Sequence, residues 1–169
     1  MKPLALAVLS LSFGLSVPSQ AVTRGQVDTF ESGTTEGWVI NLLGIGNPPP
    51  EALPQNIADG GPAGSGDNFL RLTALGGGGA GSRLTAANAF GAWAGDYASA
   101  GVTGIRVDLR NPGTTDLVLR LVFENPTGGP PTDLAVSTAG ITLAAGGGWT
   151  SVLFPATASA LTPLLGSAA

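Results

Sequence analysis

The chain has 169 residues, with 27 glycines, 13 prolines, 11 acidic and 7 basic side chains, and no histidine or cysteine. That length suits one domain with its own core, and 43% hydrophobic residues is too apolar a composition for a disordered polymer. Without histidine or cysteine, His-dependent triads, thiol nucleophiles, disulfides and the usual zinc sites are excluded. The few, scattered basic residues rule against a nucleic-acid face or a polybasic membrane patch.

The N-terminus reads as a secretory leader. Lys2 supplies the basic start, Leu4 to Val17 an almost unbroken apolar run, and Ser19 and Ala21 the small residues before a cleavage site. The run is shorter than the roughly 20 apolar residues that span a bilayer. Residues 1–21 are therefore expected to be a signal peptide cut after Ala21, and residues 22–169 a single exported domain. Cleavage removes Lys2, the only lysine, and leaves six arginines against eleven carboxylates, a formal charge of −5.

The rest of the chain is short apolar or β-branched stretches separated by turn residues, the pattern of an antiparallel β-sandwich. Strands are expected over Val27 to Glu31, Gly37 to Leu42, Gln55 to Ala58, Asn68 to Leu75, Ser82 to Ala86, Gly104 to Arg110, Asp116 to Glu124, Asp133 to Ser137, Ile141 to Leu143 and Trp149 to Phe154. Ile105, Val107 and Leu109 alternate with Arg106, Asp108 and Arg110, so one face is buried and the other wet. Leu117, Leu119, Leu121 and Phe123 likewise share one face, with Val118 and Val122 on a second, partly covered one. The turn signal Asn111-Pro112-Gly113 between these two segments predicts that they pair as a hairpin. Gly44 to Pro54, Gly76 to Gly81 and Asn125 to Pro131 read as loops, since none suits a central strand. Ala156 to Leu165 reads as a short helical turn limited by Pro163. The ending Leu164-Leu165-Gly166-Ser167-Ala168-Ala169 comes before any strand that would close a sheet. A shortened C-terminus, a missing last strand and an exposed sheet edge are the expectation.

Three stretches carry a family resemblance: Phe30-Glu31-Ser32-Gly33-Thr34-Thr35-Glu36-Gly37-Trp38, the block Gly60 to Leu72 with its Gly66-Asp67-Asn68-Phe69-Leu70-Arg71 core, and Trp93-Ala94-Gly95-Asp96-Tyr97. In this order and spacing they resemble exported bacterial proteins with a PEP-CTERM sorting signal, whose globular part is similar to a galactose-binding-like, carbohydrate-binding-module jelly roll. The likeness runs over most of residues 27–155. The Pro-Glu-Pro motif, hydrophobic helix and basic tail that end such proteins are not in this sequence, so anchoring by that route is not implied. The resemblance implies an exported jelly roll and does not establish a ligand; extracellular polysaccharide is the partner expected.

It also implies a structural calcium ion. Calcium takes six to eight oxygen ligands, and glycine-rich loops supply carbonyls. Glu31 and Asp67 lie where similar jelly rolls hold the ion, with Asp59 and Asn68 as helpers; the competing reading is an ordinary Asp67-Asn68 turn and a solvated Glu31. A sugar ring needs a flat aromatic face and a few polar groups. Trp93 and Tyr97 are the candidates, with Arg110, Arg120 and Asn125 as polar partners, against a core-packing role for Trp93 and more strongly for Trp38 and Trp149. Catalysis is not expected. Its surviving route is a facing carboxylate pair as in glycoside hydrolases, drawn from Glu31, Asp67, Asp96 and Glu124. A matrix or envelope role without a small ligand is the remaining alternative.

Overall fold

The computed structural model describes residues 21–40, 48–76, 84–88, 91–125 and 131–166. The expected leader up to residue 20, positions 41–42 and 82–83 of two expected strands, and parts of the three expected loops lie outside them. The described residues are all-β, with nine strands in antiparallel pairs and helical structure limited to three single 3-10 turns. No helix among them is long and apolar enough to cross a membrane.

The strands are β1 (Gln55–Ile57), β2 (Phe69–Arg71), β3 (Gly104–Leu109), β4 (Leu117–Leu119), β5 (Val122–Glu124), β6 (Leu134–Ser137), β7 (Ile141–Leu143), β8 (Thr150–Pro155) and β9 (Leu161–Leu165). β1 pairs with β2, β3 with β8 and β4 with β7, while β5, β6 and β9 form a three-stranded sheet in that order.

The longest ladder is β3 with β8, running from Gly104↔Pro155 to Leu109↔Thr150. Alternation makes it work. Ile105, Val107 and Leu109 turn inward beside Phe154 and Val152, and Arg106 and Asp108 turn out beside Leu153 and Ser151. Phe154, 6% exposed, is the largest buried side chain among the described residues, and burying such a residue is worth about 1.5–3 kcal/mol.

The expected hairpin between the 105–110 and 117–124 segments is overturned: β3 pairs with β8 and β4 with β7, and Asn111 ties the loop between them elsewhere. Its side chain is buried at 4% exposure. It donates to Thr115 O (2.9 Å) and to Leu143 O (3.1 Å), and it accepts the Gly113 N–H (3.0 Å). Gly146 N–H to Gly113 O (2.9 Å) and Ala145 N–H to the Asp116 carboxylate (2.8 Å) fasten the same corner. The loop is thereby bound to the end of β7, and the chain leaves β3 for a different partner.

The expected strand over Asp116 to Glu124 is one extended segment divided in two. Leu119↔Ile141 and Val122↔Val136 flank the break, with two residues between the pairs on one side and four on the other. The surplus residues bulge out. Arg120 fills the gap by donating to the carbonyls of Ser137 and Thr138, and buried Ser137 accepts the Leu121 N–H on its hydroxyl (3.1 Å). Leu117, Leu119, Leu121 and Phe123 share the covered face as expected. Val118 and Val122 do not have a covered outer face; they are 64% and 50% exposed.

The C-terminal helical turn is also overturned. Only Ala158–Ala160 forms a 3-10 turn, and Leu161–Leu165 is a strand on the edge of β6. The sheet thus has the further strand that the sequence reading lacked. Pro163 has no N–H to offer a ladder and sits beside a register shift at Leu134/Ala135, where an edge strand tolerates it.

The N-terminal expectations shrink. Val27 to Glu31 is not a strand, because Phe30 turns into the left-handed region at φ 63°. Of the next expected strand, Val39 makes a single bridge to Ala87 just beyond Ser82 to Ala86. The Asn68 to Leu75 segment keeps only Phe69–Arg71 as strand.

Candidate functional site

Three clusters hold the residues singled out in the sequence. The first is aromatic. Asp28 Oδ2 accepts both the Trp38 and the Trp93 indole N–H, each at 2.7 Å, and the two rings lie 6.3 Å apart, tilted at 54°. Tyr97 donates its hydroxyl to Trp93 O (2.7 Å) and packs edge-on against Phe123 at 4.9 Å. Trp93 closes a short 3-10 turn, Gly91–Trp93. Burial pushes the Tyr97 hydroxyl above its ordinary pKa. Trp93 and Tyr97 are thus brought together and half-buried, with their polar ends committed inside the protein. Arg110 and Asn125 are exposed, and among the described residues no hydrogen bond or ring contact ties either to this pair. Asn125 instead bonds its N–H to Asp133 O (3.0 Å).

The second cluster gathers around the turn at residues 30–36. Phe30 and Glu36 both have positive φ, 63° and 51°, a costly backbone shape for side chains other than glycine. Side chains hold it. Glu36 accepts the Phe30 N–H (3.0 Å) and the Ser32 hydroxyl (3.2 Å). The Asn56 amide donates to Phe30 O (2.6 Å) and Thr34 O (2.8 Å), and Asn68 donates to Phe30 O (3.1 Å) and Asn56 Oδ1 (3.3 Å). Glu31 accepts the Asn68 N–H at 2.9 Å.

The third is the loop from Asp59 to Asp67, joining β1 to β2. Asp59 accepts the Gly66 N–H (2.6 Å) and Asp67 the Ala63 N–H (2.7 Å), while Gly61 and Gly64 form a bridge inside it. A Cβ at Gly61 would fall 2.4 Å from the Asp67 carboxylate, so that position requires glycine. The expected calcium residues therefore divide. Glu31 and Asn68 meet, whereas Asp59 and Asp67 serve their own loop. Asn56, Phe30 O and Thr34 O join the Glu31 side and were not anticipated, since a lone Asn in a short strand and two carbonyls leave no sequence signal.

Of the four carboxylates considered for catalysis, Glu31 and Asp67 are engaged as above, and Asp96 accepts the Ser99 hydroxyl (2.6 Å) and N–H (3.0 Å). The Ser99 hydroxyl first, and then its N–H, hold Asp96 below the ordinary carboxylate value. Glu124 is half-buried at the end of β5. A separate cavity of about 340 Å³ lies along β7 and β8, lined by Asn111, Ile141, Leu143, Thr150 and Val152 among others, with no ionisable side chain in its wall. Trp149 stands outside it, packing edge-on against Phe69 at 5.4 Å and donating to Gly60 O (3.0 Å). Among the described residues no group of three or more acidic side chains converges on one point. No known protein family, no curated protein and no solved structure matches the chain.

Proposed function

We propose that this chain is an exported, non-catalytic extracellular or cell-envelope module of jelly-roll type that binds carbohydrate through Trp93 and Tyr97. The observation that carries the reading is the tethering of that pair. With the indole N–H on Asp28 and the phenol on Trp93 O, each ring is held at a fixed angle. Whatever ring surface remains exposed offers an apolar face that needs no ordering when a sugar stacks on it. The neighbouring Ala94, Gly95 and Asp96 are exposed. The direct test is retention of the mature chain on a panel of insoluble polysaccharides, together with Trp93→Ala and Tyr97→Ala. Binding lost in both variants supports the reading. Retention unchanged in both, or none by the parent chain on any polysaccharide, counts against it.

A calcium ion belongs to the same proposal, at the turn rather than in the Asp59 to Asp67 loop. The oxygens available there, Phe30 O, Thr34 O, the Asn56 and Asn68 amides and Glu31, are the hard donors that calcium selects. The Asn56 amide lies between two carbonyls, and its oxygen and nitrogen exchange places by a simple flip. A calcium-dependent rise in unfolding midpoint, abolished in Glu31→Gln, supports this; an unchanged midpoint at millimolar calcium removes it. The matrix reading has its own support in Val118, Val122, Leu153, Leu164 and Leu165, each about half exposed on strands. Glycosidic hydrolysis is the weakest reading, because Asp67, Glu31 and Asp96 each accept a neighbouring backbone N–H.

A further inference from the structure

We propose that the free edge of β3 is an interface on which a second copy of this chain pairs antiparallel, across a two-fold axis at Val107. The register with β8 decides which peptide groups of β3 are free. Ala156 N–H donates to Thr103 O (3.0 Å), and an antiparallel ladder exchanges its bonds at every second pair. The bonded pairs are therefore Ile105 with Phe154, Val107 with Val152 and Leu109 with Thr150. The peptide groups of Arg106 and Asp108 face away from β8, and among the described residues no strand lies along that side of β3. A row of unpaired N–H and C=O groups on a strand of this length is a template for another strand.

The other long edges carry a block that β3 lacks. On β8 the same alternation turns Pro155 outward with Ser151 and Leu153. On β9, the bond from Thr138 N–H to Ala160 O (2.9 Å) and the register Val136↔Thr162 turn Pro163 outward. A proline has no N–H to give a further strand. β1, β2, β4, β5 and β7 offer only three residues each.

Charge pattern commits the β3 edge to a second copy. A two-fold axis at Val107 sets position 106 of one chain opposite position 108 of the other, so Arg106 meets Asp108 of the second copy and Asp108 meets its Arg106. Both side chains are exposed, and neither has a hydrogen bond or ion pair among the described residues. Opposite charges directly across an antiparallel pair stabilise it, and like charges destabilise it. The free peptide groups fall into the same register, because Arg106 and Asp108 are the residues that would exchange backbone bonds across the axis. On the inner face Ile105 lies beside Leu109 of the second copy, and Val107 beside its own counterpart. These three are only half-buried in the single chain, and the new neighbours cover them further. The product is one continuous sheet in the order β8-β3-β3-β8. A contact of this kind uses the same patch on both copies and closes on itself, giving a dimer rather than a fibre.

The test is sedimentation equilibrium of the complete chain over a range of concentrations, with far-ultraviolet dichroism to establish that each variant is folded. The parent should show a monomer–dimer equilibrium. Arg106→Asp sets acid against acid at both crossings and Asp108→Arg sets base against base, and each should weaken the dimer about tenfold or more. Combining Arg106→Asp with Asp108→Arg in one chain restores opposite charges and should restore the parent's dissociation constant. An equal mixture of the two single variants should associate as well, since one chain then carries only acid at the edge and the other only base. A parent that stays monomeric up to its solubility limit overturns the proposal. So does a dimer that both single variants form as strongly as the parent, which places the contact elsewhere on the molecule. Weakening in the single variants with no recovery in the double variant or the mixture overturns the axis at Val107.

Discussion

The two halves of the molecule are held together by different means. From Gly104 onward, backbone ladders dominate: β3 with β8, the interrupted pairing of residues 117–124 with 134–143, and β9 on the edge of β6. Before Gly104 the described residues hold two strands of three residues each and two isolated bridges. Side chains bonding to backbone and to one another take over, from Asp28, Glu31, Glu36, Asn56, Asp59, Asn68 and Asp67. A ladder uses the groups every residue carries, so it survives most substitutions on its wet face. A turn held by named carboxylates and amides depends on each of them.

The largest effect expected is in the ladder half. Phe154→Ala removes the largest buried side chain opposite Ile105 and should cost about 3–5 kcal/mol by the usual scale for buried aromatics, read from denaturant unfolding. Loss under about 1 kcal/mol would mean that the β3 and β8 pair is not the core it resembles. Next is Asn111→Ala. It strips hydrogen bonds from Thr115 O, Leu143 O and Gly113 N–H at the corner between β3 and β4, at a cost of about 2–3 kcal/mol for buried groups left unpaired. Asn111→Asp retains the acceptor for Gly113 N–H but sets a carboxylate oxygen against the Thr115 and Leu143 carbonyls in a buried place, so at neutral pH it should cost at least as much as alanine. If the two variants unfold at the same denaturant concentration as the parent, the corner does not choose the strand partner.

How far the fold could be read in advance follows the same division. Ile105 to Arg110 and Leu117 to Phe123 announce themselves by strict alternation, and the structure keeps their inward faces. Their partners were not legible, because the turn signal Asn111-Pro112-Gly113 says only that the chain bends, and nothing in it marks the Asn111 side chain as bound to the end of β7. Val118 and Val122 look like covered positions by residue type, yet β-branched residues are favoured on strands whichever face they occupy. Leu161–Leu165 was hidden by Pro163, a strand breaker that an edge and a register shift accommodate. At the site, Trp93 and Tyr97 were legible as a pair from their spacing. Asp28 was not, since nothing ten residues before Trp38 marks it as the acceptor for two indoles.

Asp28 tests the side-chain half directly. Asp28→Ala leaves two indole N–H groups without their charged acceptor and should cost about 2 kcal/mol, the range for hydrogen bonds to ionised groups. The location of the loss matters more than its size. Hydrogen exchange should quicken around Trp38 and Trp93, tryptophan emission should move to the red, and the β3 and β8 amides should stay protected. Uniform loss of protection through both halves would show that they unfold as one and that the contrast drawn above is only geometric.

The smallest effect is one of pH. The Ser99 hydroxyl and N–H stabilise the ionised form of Asp96 in the folded chain, so its folded pKa lies below its unfolded one, near 3.9 for a free aspartate. A depressed carboxylate contributes stability above the unfolded value, and that contribution fades as pH falls through the folded value. Asp96 is exposed, so solvent and salt weaken the effect. The measurement is the unfolding midpoint of the parent and Asp96→Asn from neutral pH down to about pH 3, a range that crosses the ordinary aspartate value. The asparagine retains an acceptor but carries no charge to lose, so the parent's advantage should be largest at neutral pH and shrink below about pH 4. Parallel curves across the whole range would mean that the Ser99 bonds do not distinguish the two protonation states. The turn after Trp93 would then be held by bonds that do not depend on charge, Ala100 N–H to Asp96 O, Val102 N–H to Tyr97 O and the Tyr97 hydroxyl to Trp93 O among them, and its stability would not follow the pH as a carboxylate-held turn must.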